Sequence, residues 1–138
     1  MKPFSRQRPN RSARARASAA ADTGVAKRRA ARALDFVRAA HGAGVRIAVG
    51  TDGMGGDRGL PNLHEELALL VRAGLTPVEA LIAGTRTSAE ALGLGASHGT
   101  IGVGKAADLL VLQADPLADI RNTRQIDFVV KRGKVVEK

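Results

Sequence analysis

The stretch GVRIAVGTDG, residues 44–53, decides the fold class of this chain. Its centre, residues 45–50, is short, apolar and β-branched, which is typical of a strand covered on both faces. From about Val25, apolar residues recur at three- and four-residue spacing, so we predict a helix that ends at Gly42 and Gly44. A helix, a tight turn, a buried strand and a polar residue after the strand make one step of a parallel α/β protein.

Three helix-start signals follow between residues 62 and 93. Each is an Asn or Thr with a glutamate three residues later, which is the spacing of a capping box. The three pairs are Asn62 with Glu65, Thr76 with Glu79, and Thr87 with Glu90. Because Pro77 favours a first helical position and glycines follow the apolar runs, we predict three capped helices joined by glycines.

The last forty residues change from a helical to a β period. Residues 108–112 (DLLVL) predict a strand, and Asp115-Pro116 predicts a turn. Residues 127–131 and 134–136 flank Arg132-Gly133, a two-residue hairpin signal. The pattern therefore predicts a small β unit of about three strands, which needs another surface to pack on.

Composition excludes several classes of protein. The chain of 138 residues has no cysteine, which excludes a disulfide framework, thiolate metal sites and a cysteine nucleophile. It is also too short for a closed eight-fold α/β barrel, which takes about 250 residues. Without a secretory signal or an apolar run long enough for a membrane span, we expect a cytoplasmic protein.

The formal net charge of +9 belongs to one end of the chain. Residues 1–33 hold ten of the 22 lysines and arginines and a single acid, Asp22, whereas the remaining residues are balanced in charge. Residues 1–24 are rich in Arg, Ala and Ser and poor in large apolar side chains. We therefore expect residues 1–24 to be a disordered basic tail.

Asp52 is the strongest candidate for chemistry, because functional side chains gather at the carboxyl ends of strands in parallel α/β folds. The alternative is a turn aspartate that binds the nearby backbone. His64 and Glu65 could bind a ligand or transfer protons. The sequence alone favours the simpler alternative, in which Glu65 caps the helix and His64 lies at the surface. His41 and His98 are expected to be a helix-terminal and a loop residue.

Four stretches, taken together, resemble the C-terminal end of the amidohydrolase superfamily. They are GVRIAVGTDG, LHEELALLVRAGLTPVEALIAGTRTSAEALGL, GTIGVGKAADLLVLQADPLADI and IDFVVKRGKVV, in this order. The resemblance is strongest to the imidazolonepropionase-like branch, which includes metal-dependent Xaa-Pro dipeptidases, and extends from about Leu34 to Lys138. Val103 departs from the family pattern, in which a proline is more usual.

The resemblance implies an α/β fold that is the C-terminal portion of a (β/α)8 metallo-hydrolase barrel. Residues 25–98 would be its last strand and helices, and residues 99–138 the C-terminal strands of a small β-sandwich. It implies hydrolysis of a C–N bond in a small amide, cyclic amide or dipeptide, aided by a divalent metal, usually zinc. Asp52 would match the aspartate that binds the metal and moves a proton from the attacking water to the leaving amine. His64 and Glu65 match a recurrent pair, which we assign to substrate binding.

Most of the family's metal ligands have no counterpart here, including its H-x-H pair, its bridging lysine or glutamate and two further histidines. Since catalytic zinc normally takes three protein ligands, we expect a truncated chain that is inactive and does not hold the metal alone. One alternative is that a separate barrel fragment complements it, because a lone strand leaves both edges unpaired. Another is a binding module whose basic tail contacts nucleic acid or an acidic partner. The scarcity of aromatic stacking residues argues against nucleic acid.

Overall fold

The computed structural model describes residues 11–51 and 62–136, with side chains described from residue 23 onward. The chain divides into two units, Met1–Ala33 and Leu34–Lys138, and all contacts given below lie within the second. Helix α1 spans Arg11–Gly42 and so begins inside the segment 1–24 that we expected to be disordered. Alanine and arginine have high helix propensity, which a search for large apolar residues does not register.

The end of α1 lies where the sequence places it. Gly44 has a positive φ of 77°, its N–H donates to the carbonyl of His41 at 2.9 Å, and the N–H of Val45 donates to the carbonyl of Ala40 at 3.0 Å. Only a residue without a Cβ adopts this left-handed turn without strain, which is why a glycine closes the helix.

The strand expected at residues 45–50 is not formed, and this prediction is wrong for the described chain. A strand is defined by a hydrogen-bonded ladder to a neighbouring strand, and no described segment pairs with these residues. Instead, the hydroxyl of Ser88 accepts from the Val49 N–H at 3.0 Å and lies 3.3 Å from the Val49 carbonyl oxygen.

Two of the three predicted helix starts are confirmed. Helix α2 spans Leu63–Arg72, and the Asn62 side chain accepts from the Glu65 N–H at 3.1 Å. Helix α3 spans Pro77–Ile82, and Thr76 and Glu79 form a complete capping box before it.

At the third predicted start, a helix does begin after Thr87, but it lacks the predicted cap. Thr87 has helical dihedral angles and makes no side-chain cap, and α3 continues through a π-helix, Ala83–Thr87, into α4, Ser88–Ala91. The Ser88 hydroxyl donates to the Ala83 carbonyl at 2.7 Å and so satisfies part of the widened turn.

The predicted β unit is confirmed. Strands β1 (Leu109–Leu112), β2 (Ile126–Lys131) and β3 (Lys134–Val136) form an antiparallel sheet in the order β1-β2-β3. Arg132 and Gly133 have φ of 50° and 77°, as a two-residue hairpin with the right twist requires. A 3₁₀ helix that the sequence did not predict, Ile120–Arg124, connects β1 to β2.

A small aliphatic core joins the helices to the β unit. Its buried members are Leu67, Leu70, Leu75, Ala80, Ala83 and Ile120. Because Ile120 belongs to the 3₁₀ helix, that helix is packed against α2 by the same burial that holds α2 to α3. Among the described helices, none has the length and apolar character needed to cross a membrane.

Candidate functional site

Asp52, the first candidate from the sequence, lies outside the described residues, as does the glycine-rich loop that follows it. Its assignment therefore stays a prediction. The described chain resumes at Asn62, directly before α2, and the other two candidates are the second and third residues of that helix.

His64 is half-buried and contacts the 3₁₀ helix. Its Nδ1 lies 3.1 Å from Oγ1 of Thr123, which is buried with 3% of its surface exposed. Burial and the nearby Arg124 guanidinium lower the pKa of His64 below its ordinary value of 6.5. Both causes disfavour a second proton, so the imidazole is neutral around pH 7. The sequence alone had favoured a plain surface histidine, and the structure gives this residue a buried partner instead.

Glu65 does not cap its own helix through its carboxylate. Its Oε1 accepts from Nη2 of Arg124, while its backbone N–H donates to Asn62. The capping box that the Asn62–Glu65 spacing suggested is therefore half formed, because the acidic side chain points to a partner 59 residues away along the chain.

Thr123 and Arg124 contact the two candidate residues, and sequence reasoning missed both. They are consecutive in the 3₁₀ helix, as His64 and Glu65 are consecutive in α2. Each of the two lies 59 positions after the residue that it contacts. Local spacing carries no signal for such a contact. The structure therefore brings together His64, Glu65 and two residues of the C-terminal β unit.

The other two histidines lie apart from this group. His41 Nε2 lies 3.6 Å from Glu79 Oε2, and His98 Nδ1 lies 2.8 Å from the Ser97 hydroxyl. His41 lines an open groove of about 360 Å³ whose lining does not include His64. These contacts agree with the helix-terminal and loop roles expected for the two residues.

The described residues do not fit a metal centre on their own. Among residues 11–51 and 62–136, no group of three or more His, Cys, Asp or Glu side chains is placed to hold a metal ion. Catalytic zinc needs three protein ligands and an open position. The Glu65 carboxylate is already paired with Arg124. Of the two candidates, His64 and Glu65, this leaves the imidazole of His64 as the side chain that could still bind a metal.

Residues 9–136 match the model of the amidohydrolase family, which is most of the chain. The chain belongs to this family. The match begins well before Leu34, where the resemblance in the sequence begins. The described helices and strands fit the α/β fold of amidohydrolases, whose members are generally metal-dependent.

Curated relatives of this amidohydrolase chain include two imidazolonepropionases. That of Chromobacterium violaceum is 44% identical over 79 residues, which cover 56% of this chain and 18% of the relative. That of a Geobacillus species is 37% identical over 106 residues, covering 70% of this chain and 24% of the relative. The chain thus spans about a quarter or less of the length of these relatives.

Solved amidohydrolase structures show the same partial coverage. A Xaa-Pro dipeptidase with bound methionine has a TM-score of 0.68 and 32% identity, and the match covers 76% of this chain and 25% of the dipeptidase chain. A putative prolidase from Bifidobacterium longum has a TM-score of 0.64 and 42% identity, covering 74% and 25%. This chain is therefore similar both to peptidases and to imidazolonepropionases.

Proposed function

We propose that this amidohydrolase chain takes part in the hydrolysis of a C–N bond in a small amide, cyclic amide or dipeptide. The observation that carries the proposal is the match of residues 9–136 to the family. The similarity to imidazolonepropionases and to a Xaa-Pro dipeptidase supports the substrate class, because both names denote enzymes that act on small compounds with amide-type bonds.

Asp52 is the proposed catalytic residue and metal ligand. A carboxylate is a hard anionic donor suited to a divalent ion such as zinc, and it is also a base of suitable strength for moving protons. In the proposed reaction, Asp52 takes a proton from the attacking water and delivers it to the leaving nitrogen. A bound divalent metal would supply activation of that water.

His64 and Glu65 are the proposed substrate-binding pair. Their support is geometric, because Thr123 and Arg124 hold both side chains from a second element. A side chain fixed in this way loses little conformational entropy when it binds a ligand.

We also propose that the chain is truncated relative to the active enzyme and does not turn over substrate alone. The support is its coverage of 18% to 24% of the imidazolonepropionases and 25% of the dipeptidase. The proposed partner is a complementing polypeptide that supplies the remaining barrel strands of a (β/α)8 enzyme, with residues 45–50 as the last strand. In this arrangement residues 99–138 form the C-terminal share of a β-sandwich.

Complementation provides the test. We would co-express the full chain with the part of the Geobacillus imidazolonepropionase that it does not match, and assay N-acyl amides, cyclic amides and dipeptides with added zinc. The complemented chain is expected to hydrolyse at least one class, whereas the chain alone is not. Asp52→Asn should lower the rate by at least about 100-fold, the usual contribution of a positioned acid–base group.

Asp127→Asn is the matched control, because Asp127 is an exposed carboxylate on β2 that undergoes the same chemical change. Full activity of Asp52→Asn in the complemented chain would contradict the role of Asp52. Turnover by the chain alone, abolished by Asp52→Asn, would contradict the proposal that it is inactive by itself. No turnover of any substrate class by the complemented chain would contradict the proposed function.

Binding of nucleic acid or an acidic partner by the basic tail stays a prediction, because no described contact bears on it. Such binding would weaken steeply with salt and would be lost when residues 1–24 are deleted.

A further inference from the structure

The hydrogen bonds around Thr123 favour one of the two neutral tautomers of His64. The Thr123 hydroxyl has a single hydrogen, which it donates to the Ile120 carbonyl at 2.8 Å. Its oxygen can then only accept from the His64 ring, whose Nδ1 lies 3.1 Å away, a normal N–H···O distance. This arrangement favours a proton on Nδ1 of His64.

The protonation of the other ring nitrogen, Nε2, follows from that of Nδ1. In a neutral imidazole with its proton on Nδ1, Nε2 holds a lone pair and accepts hydrogen bonds. Within the described part of the chain, Nε2 of His64 makes no hydrogen bond. The low pKa of the ring, caused by burial and by Arg124, keeps this lone pair free around neutral pH.

The arrangement is rigid because it rests on two bonds between the same two elements. Thr123 contacts His64, and the next residue, Arg124, forms an ion pair with the next residue of α2, Glu65. The 3₁₀ helix that carries both partners is anchored by buried Ile120. A shift of this helix would break both contacts together, so the ring orientation is coupled to the packing of the β unit.

We propose that Thr123 is a positioning residue that holds His64 in the Nδ1–H tautomer, so that Nε2 accepts a hydrogen bond from an N–H group of an amide substrate. The substrate contact rests on the proposed function, whereas the tautomer does not. A cyclic amide, or a dipeptide whose second residue is not proline, carries such an N–H in the bond to be cleaved, and an Nε2–H tautomer would place a second donor against it.

The tautomer is measured directly on the full chain by NMR, with the histidines labelled with ¹⁵N. Wild-type His64 is expected to show a protonated Nδ1 and an unprotonated Nε2. Thr123→Val keeps the side-chain shape but removes the acceptor, and should convert His64 to a mixture of tautomers. Thr123→Ser keeps the hydroxyl and should restore the wild-type spectrum.

His41 and His98 are internal controls, since neither contacts Thr123. If their signals change in Thr123→Val, that variant has lost its fold, and the wild-type and Thr123→Ser spectra decide the assignment. An Nε2–H tautomer in the wild-type chain, or an unchanged Nδ1–H tautomer in a folded Thr123→Val variant, would overturn the proposal.

The substrate contact is measured in the complemented chain. Thr123→Val should raise KM by about threefold to tenfold, the effect of losing one neutral hydrogen bond, and change kcat less. Thr123→Ser should restore KM, which a loss of packing alone would not explain. An unchanged KM in Thr123→Val refutes the substrate contact. If the complemented chain has no activity at all, the proposed function fails while the tautomer is still decided by NMR.

Discussion

Asp108 shows how one side chain secures the end of the sheet. Its Oδ2 accepts from Lys131 Nζ at 2.6 Å, and its Oδ1 accepts from the Arg132 N–H at 2.7 Å, so it holds both the strand and the turn of the β2–β3 hairpin. The bond from Lys131, followed by that from the Arg132 backbone, lowers the pKa of Asp108 below 3.8. Both donors favour the charged carboxylate, so the hairpin is most stable when Asp108 is ionised.

The sign of the pH dependence follows from this lowered pKa. Asp108 stabilises the folded chain above its unfolded pKa of about 3.8, and this stabilisation is lost as the pH falls through the lower folded pKa. Asp108→Asn should therefore make the loss of stability below about pH 5 less steep. The measurement is the urea midpoint against pH, with Asp127→Asn as the control. Parallel curves for wild type and Asp108→Asn would contradict the assignment.

Single residues also mark the limit of what the sequence could predict about the site. Asp52, His64 and Glu65 were chosen as candidates from their places after a strand-like segment and at a helix start, and this choice stays a prediction. Thr123 and Arg124 were not, because their contacts depend on how the 3₁₀ helix packs on α2. A contact across 59 positions is set by tertiary packing, which local periodicity does not encode.

At the scale of elements, two Thr-x-x-Glu sequences, which begin at Thr76 and Thr87, adopt different structures. Thr76 has an extended backbone, with φ −70° and ψ 158°, and caps α3, whereas Thr87 is helical, with φ −65° and ψ −38°, and caps nothing. An N-cap needs the extended conformation, which is absent where the preceding chain is already helical. The spacing predicts a helix start only where another feature, here Gly74, has ended the previous helix.

This difference is testable with matched substitutions. Thr76→Ala should lower the free energy of unfolding by about 1 kcal/mol, the usual cost of removing an N-cap. Thr87→Ala, which removes no cap, should change it by less than about 0.5 kcal/mol. Urea unfolding of the two variants measures both values. Equal losses would contradict the assignment of α3, the π-helix and α4 to one continuous helical segment.

Gly99 holds the loop after α4 against the π-helix. It has a φ of +85°, and a Cβ at this position would lie 2.6 Å from Ala89 Cβ and 2.9 Å from the Thr85 carbonyl oxygen. Gly104 has a similar φ of +80°, but a Cβ there would meet nothing within 4 Å. The two glycines therefore share the backbone requirement and differ in packing.

Alanine at each position separates these two effects. Gly104→Ala should cost about 1 kcal/mol for the left-handed backbone alone. Gly99→Ala should cost about 1–3 kcal/mol more, because the methyl group overpacks the contacts with Ala89 of α4 and with the π-helix. Thermal or urea unfolding provides the comparison. Equal costs would mean that Gly99 is required for its backbone conformation and not for close packing.

For the whole molecule, helices and hairpin could be predicted from the sequence because their signals are local. The absence of a strand at residues 45–50 could not be predicted, because a strand forms only with a neighbour and the local sequence does not show whether one is present. Here Ile47 and Val49 pack on the helical core, whereas Arg46 and Ala48 are exposed. The side chains thus divide by the strand period of two, although no ladder forms among the described residues.

Hydrogen exchange tests whether this segment is a strand that lacks its neighbours. Within the described chain, the backbone N–H groups of Arg46, Ile47 and Ala48 donate to no partner, whereas that of Val49 donates to Ser88. In the chain alone, the first three amides should exchange rapidly and Val49 more slowly. With the complementing segment bound, paired strands should protect the exchanging amides as well. Fast exchange that persists in an active complex would show that residues 45–50 do not join a sheet, and the barrel proposal would fail with it.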